Sequence, residues 1–275
     1  MPSVSVPANV RQSIEALRTR SRQAWASLEE RVRRRPEEPE EERESPEPEA
    51  PEVQNRTVVL IHGLNVPRQV MVPMGLRLTR LYKRPTVNLS YPAFQRDIPR
   101  TAQYIADQIR ELNLTEYDAV THSMGGIVLR WAVANHELPP LRRAVLMAPP
   151  NAGAWMADYL CGRLKLAFPL LFGQAGLQLR KGPRGILARA GVLTGTEVGI
   201  IAGGSGKPEG VRNWFKIPGD CDGTVAVEET ILPGMKDFAL VNANHTMLGM
   251  KAETARLVDH FLAHGVFRYR RQTQH

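Results

Sequence analysis

Apolar runs of strand length alternate along this chain with stretches that are apolar at helical spacing. That alternation predicts an α/β fold in which a mostly parallel sheet is covered by helices on both faces. Two further observations agree. A strand turns abruptly into a helix at Ser123, and several candidate strands end in residues suited to chemistry, which collect at one rim of such a sheet. The length of 275 residues allows one such domain with appendages.

The chain opens on a stretch that reads as a helix over 8–35. Val10, Ile14, Leu17, Ser21, Ala24 and Leu28 fall on one seam, with Trp25 beside it and Arg on most other faces. Two readings stay open: a basic amphipathic helix at 1–35 that lies on a membrane surface or meets a partner, or a solvated tail. An Arg- and Ser-bearing start also allows a transit peptide, against which Glu29 and Glu30 count. Residues 36–55 form a Pro/Glu-rich segment with few core formers, expected to be an extended linker.

The folded domain is expected over 56–275. Thr57-Val58-Val59-Leu60-Ile61 is a continuous apolar run ended by His62-Gly63, and Thr86 to Ser90 is a second candidate strand. Ala102, Ile105, Ile109 and Leu112 mark a helix over 99–112. Ala119 and Val120 end the next strand, and Ile127, Val128, Trp131 and Ala132 begin a helix. Ala144 to Met147, Val198 to Ala202 and Phe238 to Val241 supply three more strands, and a last helix spans about 247–264. The Gly-rich run Ala202 to Gly206 lacks a phosphate-loop Lys and a following helix, so it reads as a loop.

Thr121-His122-Ser123-Met124-Gly125-Gly126 carries the sharpest signal. A residue at so tight a turn is forced toward positive φ and needs small neighbours. Its hydroxyl is lifted clear of the sheet, and the next N–H, that of Met124, starts a helix where a developing negative charge is stabilised. Taken alone, Ser123 also reads as an ordinary helix cap.

A serine nucleophile needs a base, and the base needs an orienting carboxylate. His245 follows the last strand and precedes the last helix, which puts it at the rim of Ser123. His122 adjoins the serine but is expected to point away from it, and His62 belongs to another loop. For the acid, Asp222 in Gly219-Asp220-Cys221-Asp222-Gly223-Thr224-Val225 is the better candidate and Asp220 the alternative, since either could form the turn. Gly63 lets the backbone come close after the first strand, so the Leu64 N–H is the candidate second oxyanion donor beside Met124.

These segments resemble the bacterial esterase/lipase branch of the α/β-hydrolase superfamily, near the lipases and PGAP1-like enzymes. The likeness rests on His62-Gly63-Leu64, the Thr121–Gly126 turn, Asp222-Gly223-Thr224-Val225, His245, Ala148 to Ala154, and Val225 to Met235 with Glu228 and Gly234. The order Ser, Asp, His is that of the superfamily. It covers roughly 56–267 and implies a three-layer fold and serine-dependent cleavage of carboxylic esters through an acyl-enzyme on Ser123. Two departures stand out: Thr121 occupies the usual first glycine, and the sheet lacks the fold's two leading strands, as in compact lipases.

Residues 152–196 exceed an ordinary connection and are expected to form a helical cap. Trp155, Met156, Tyr159, Leu160, Leu164, Phe168, Leu170, Leu171 and Phe172 give it apolar surface, for an acyl chain or for packing the cap onto the body. An ester or lipid-like small molecule is therefore the expected substrate. Acyl transfer and thioester cleavage use the same machinery, and a non-catalytic tether built on the scaffold is the alternative of another class.

Composition narrows the partners. The net charge is +8, yet residues 1–55 carry nine Arg and twelve Glu, so the body is the basic part. Basic residues are scattered Arg without aromatic interleaving, which argues against nucleic acid. The two cysteines, Cys161 and Cys221, set no disulfide framework. The scattered His, Asp and Cys lack metal-ligand spacing, and no cofactor is expected. The first 30 residues lack the apolar core of a secretory signal, so an intracellular, cytoplasmic protein is expected, either soluble or in peripheral membrane contact through its first helix.

Overall fold

The computed structural model describes residues 55–92, 97–182, 186–206 and 213–267. The expected tail helix at 1–35, the linker up to 54 and the last eight residues lie outside them.

Six strands form one sheet: β1 (Thr57–Ile61), β2 (Thr86–Leu89), β3 (Tyr117–His122), β4 (Leu141–Met147), β5 (Glu197–Gly204) and β6 (Asp237–Asn242). Their order is β2-β1-β3-β4-β5-β6 and every pairing is parallel. The chain thus moves outward from β1 to β2, then returns to place β3 on the other side of β1. That reversal opens a crevice at the carboxyl ends of β1 and β3, where such sheets bind ligands. The loop after β1 and the residue after β3 meet there.

Two apolar layers follow from the period-2 alternation of each strand. Val58, Leu60, Val120, Val145, Ile201 and Val241 pack under α1 (Val72–Arg80) and α6 (Ala252–His264). Val59, Ile61, Ala119, Ala144, Leu146 and Ile200 pack under α2 (Ile98–Glu111) and α3 (Met124–Asn135). Asp97 starts α2 by accepting the N–H of Arg100 at 2.9 Å, with Pro99 in the first turn. α3 is apolar almost all round because Ile186, Leu187, Ala190 and Leu193 cover its outer side. Its one basic side chain, Arg130, is buried and donates Nε and Nη2 to the Gly191 carbonyl at 2.9 and 2.6 Å, which fastens α3 to that returning segment.

Three boundaries depart from the sequence reading. α1 went unassigned; Pro73 lies in its first turn, it buries Met74, Gly75 and Leu78, and the hydroxyls of its Thr79 and of Thr86 on β2 meet at 2.9 Å. The final helix is split: a 3-10 turn covers Leu248–Met250, and extended Lys251 precedes α6. Gly203 and Gly204, expected in a loop, are the last residues of β5. They pair with Val241 and Asn242 of β6, and their lack of side chains lets another loop lie directly against the strand end.

Between β4 and β5 the chain adds α4 (Trp155–Leu164) and α5 (Ala167–Gln178), the latter kinked at Gly173. Ala154, Ala157 and Phe168 form a small core of their own, with Leu160, Phe172 and Leu177 against it. Leu164, Leu166, Leu170 and Leu171 stay exposed. The apolar residues of this segment therefore divide between packing it and facing solvent.

Candidate active site

β3 ends at His122 and α3 begins at Met124, so Ser123 makes the whole turn, at φ 55° and ψ −126°. A non-glycine residue held there stores strain of order 1–3 kcal/mol and persists only when its surroundings impose it. They do so here. The Ser123 N–H donates to the Met147 carbonyl at 2.8 Å, and the Ser123 carbonyl accepts from Gly126 at 3.1 Å. A Cβ on Gly125 would come within 2.5 Å of the His62 carbonyl oxygen, so only glycine lets α3 start hard against the end of β1. Thr121 is tolerated at the position usual for glycine because it faces Gly126, where a Cβ would meet its Oγ1 at 3.2 Å. Ser123 makes no capping hydrogen bond to α3, which removes the ordinary cap reading of its hydroxyl.

The structure brings His245 and Asp222 together. His245 Nδ1 lies 2.6 Å from Asp222 Oδ2, and the His245 N–H donates to the Asp222 carbonyl at 2.9 Å. An ionised carboxylate only accepts, so the proton sits on Nδ1 and Nε2 is left free to take another. Asp222 Oδ1 accepts from the N–H groups of Thr224 and Val225 at 2.9 and 2.7 Å, which sets the carboxylate before any substrate arrives. Asp220 is used otherwise: its two oxygens take the N–H groups of Ser205 and Gly206 at 3.0 and 2.8 Å. A Cβ on Gly203 would lie 2.8 Å from both Asp222 Cβ and the Ala243 carbonyl oxygen, so the bare end of β5 is the bed on which the acid loop rests.

Ser123 joins this pair through its neighbour. The sequence reading points His122 away from the serine and gives it no task. The structure brings its ring to within 4.7 Å of the His245 ring, tilted 49°, with Nε2 2.9 Å from the His245 carbonyl oxygen. Burial, then the nearby His245, push the His122 imidazole down to about 3, so it stays neutral. Among the described residues, no hydrogen bond joins the Ser123 hydroxyl to His245. Such contacts are commonly long before substrate binds.

Gly63 lies against the serine: a Cβ there would be 2.9 Å from Ser123 Cβ. The loop that carries Leu64 therefore passes directly beside the hydroxyl, and Met124 N–H is the first donor of α3, without an acceptor in its own helix. His62 is a prop for this loop. Its ring stacks on Tyr91 at 4.1 Å, the Tyr91 hydroxyl donates to the His62 carbonyl at 2.6 Å, and burial lowers the His62 pKa.

Sequence reasoning also missed Glu229. Glu228 is its exposed neighbour, whereas Glu229 is buried and touches three segments. It accepts from the N–H of Trp155 at 2.7 Å, at the start of α4, and from the N–H of Ala226 at 3.0 Å, in the acid loop. Lys181, beyond α5, supplies the cation at 2.6 Å. Across the crevice, Asn65 donates to the Leu171 carbonyl at 2.8 Å. The α4–α5 segment is thus fastened to the acid loop on one side and to the Leu64 loop on the other. A cavity of about 290 Å³ beside that loop is lined by His62, Asn65, Arg68 and Tyr91 among others.

Cys161 and Cys221 are unpaired, and burial raises the Cys221 thiol. Among the described residues, no group of three or more His, Cys, Asp or Glu side chains is placed to hold a metal, and no helix is long and apolar enough to cross a membrane.

Comparison with solved structures gives the fold its name. The mature lipase BlEst2 of Bacillus licheniformis superposes with a TM-score of 0.59 at 18% identity, over 79% of this chain and 95% of that one. The product of the Listeria innocua gene lin2722 gives 0.53 at 17% identity, over 76% and 93%. Phospholipase PlaB of Legionella pneumophila gives 0.51 at 16% identity, over 64% of this chain but 46% of its own length. No protein-family model and no curated protein matches the sequence. The chain has the α/β-hydrolase fold, here with six parallel strands.

Proposed function

We propose that this chain is a serine hydrolase of carboxylic esters. The observation that carries the reading is the strained, uncapped Ser123, whose neighbour His122 meets His245, together with an Asp222–His245 pair already joined at 2.6 Å. Ser123 Oγ attacks the ester carbonyl while His245 Nε2 takes its proton. The oxyanion of the tetrahedral intermediate is held by the N–H groups of Leu64 and Met124. Collapse expels the alcohol, which leaves with the proton from His245, and the acyl group stays on Ser123. Water then attacks the acyl-enzyme with His245 again as base, releasing the acid. Asp222 stays ionised throughout and supports the imidazolium that forms twice per cycle.

The sequence motifs resemble the esterase/lipase branch near the PGAP1-like enzymes, and two of the similar structures are themselves described as a lipase and a phospholipase. An apolar acyl group suits the exposed Leu166, Leu170 and Leu171 of α5 and the turn before it, close to Asn65 at the edge of the crevice. The same side chains favour an ester presented at a lipid surface over a small hydrophilic one.

Turnover of a p-nitrophenyl ester series of increasing acyl length tests this directly. Ser123→Ala is expected to abolish turnover with the circular dichroism unchanged, and medium or long chains are expected to be preferred. Undiminished turnover by the alanine variant would refute the assignment.

A further inference from the structure

The nucleophile and the base come from segments 122 residues apart in the chain, and something must fix the distance between them. The base sits in the loop between β6 and the 3-10 turn at 248–250. Its N–H is held by the Asp222 carbonyl and its ring by the Asp222 carboxylate, both on the acid loop. The third hold comes from the other side. His122 Nε2 is 2.9 Å from the His245 carbonyl oxygen, and the two rings lie 4.7 Å apart.

This contact admits one chemical form. A carbonyl oxygen accepts and never donates, so the His122 Nε2 must carry the proton. His122 Nδ1 is then a bare acceptor; it is buried without a hydrogen-bond partner among the described residues, close against Gly63. Burial keeps the ring neutral across the working range of pH, so it adds no charge beside an imidazolium forming on His245. His122 is covalently next to Ser123 and is fixed by β3. A donor on that residue transfers the position of the nucleophile's own strand to the base.

We propose that His122 is a positioning residue: its neutral Nε2–H fixes the His245 main chain, and with it the imidazole, relative to Ser123. The proposal deepens the hydrolase reading and rests on it. His122 does not touch the substrate or exchange protons with it.

The test compares His122→Phe, which keeps a buried ring without the donor, with His122→Gln, whose amide N–H reaches about as far as Nε2. Two readouts are taken on full-length protein: the far-downfield proton resonance of the His245–Asp222 hydrogen bond, and kcat and KM on a p-nitrophenyl ester. A misplacement of about 1 Å at a reacting group lowers turnover by up to about 100-fold. The phenylalanine variant is therefore expected to lose ~10–100-fold in kcat, with KM within about twofold and the resonance shifted or broadened. The glutamine variant is expected to recover most of both. A phenylalanine variant with unchanged kcat and resonance overturns the proposal, as does a glutamine variant no better than it. Should the phenylalanine variant not fold, His122→Asn replaces it: the same amide falls short of the carbonyl, so equal behaviour of the Asn and Gln variants overturns the proposal. The resonance needs no turnover. A wild-type chain without esterase activity but with a His122-dependent resonance would sink the hydrolase reading and leave the positioning intact.

Discussion

Asp222 grips His245 twice, through its carboxylate at Nδ1 and through its main-chain carbonyl at the His245 N–H, at 2.6 and 2.9 Å. Asp220, two residues earlier, turns its carboxylate to the N–H groups of Ser205 and Gly206 and its main-chain carbonyl to the N–H of Val227. Asp222→Asn is expected to lower kcat by on the order of 10⁴-fold, because an amide facing Nδ1 favours the wrong imidazole tautomer. Asp220→Asn should change kcat little while lowering stability by about 1 kcal/mol through a weakened loop anchor. Steady-state kinetics and urea melts of the two variants separate these roles; equal loss of kcat in both would contradict them.

Strain at Ser123 predicts an opposite trade. Glycine adopts φ 55° without a Cβ penalty, whereas alanine keeps it. Ser123→Gly should therefore be more stable than Ser123→Ala by about 1 kcal/mol, seen as a melting midpoint higher by about 2–4 °C. Both should be inactive. A glycine variant that melts below the alanine one would remove the strain argument.

The end of β5 is expected to be intolerant of any side chain. In Gly203→Ala the new methyl meets Asp222 Cβ and the Ala243 carbonyl oxygen at 2.8 Å unless the acid loop moves. The loss is expected in kcat, by ~10-fold or more, with a smaller change in KM. An alanine variant with wild-type kcat would show that the loop does not depend on this bed.

Acid should weaken the fold through its buried imidazoles. The His122 pKa is lowered from 6.5 to about 3, and that of His62 is lowered as well. Below 6.5 the unfolded chain takes up protons that the folded chain refuses. Their contribution to stability is thus complete above 6.5 and is lost progressively as pH falls toward about 3. Urea midpoints measured between pH 7 and pH 4 should fall, and fall less steeply in His122→Gln. A parallel dependence in the two proteins would contradict a neutral, buried His122.

Most of the sheet was legible because buried parallel strands hold unbroken apolar runs, as at 58–61 and 144–147. The turn at Ser123 and the placing of His245 just past β6 were legible for the same reason: strand ends can be found, and the rim follows. Residues 203–204 were not, because glycine signals a loop until the partner lying on it is known. The contact of His122 with His245, and Glu229 altogether, escaped the sequence reading because their meaning lies in residues 123 and 74 positions away, at His245 and Trp155. α1 stayed hidden because Pro73 and Gly75 blur the helical pattern of a short segment that buries just Met74, Gly75 and Leu78.

The claim on which the rest depends is that Ser123 is an activated nucleophile. Incubating the full-length chain with a fluorophosphonate and mapping the adduct by peptide mass spectrometry tests it most directly. Modification confined to Ser123, and suppressed in Asp222→Asn, is the result expected. An unlabelled Ser123 in folded protein, or labelling spread over other serines at equal rates, would contradict it.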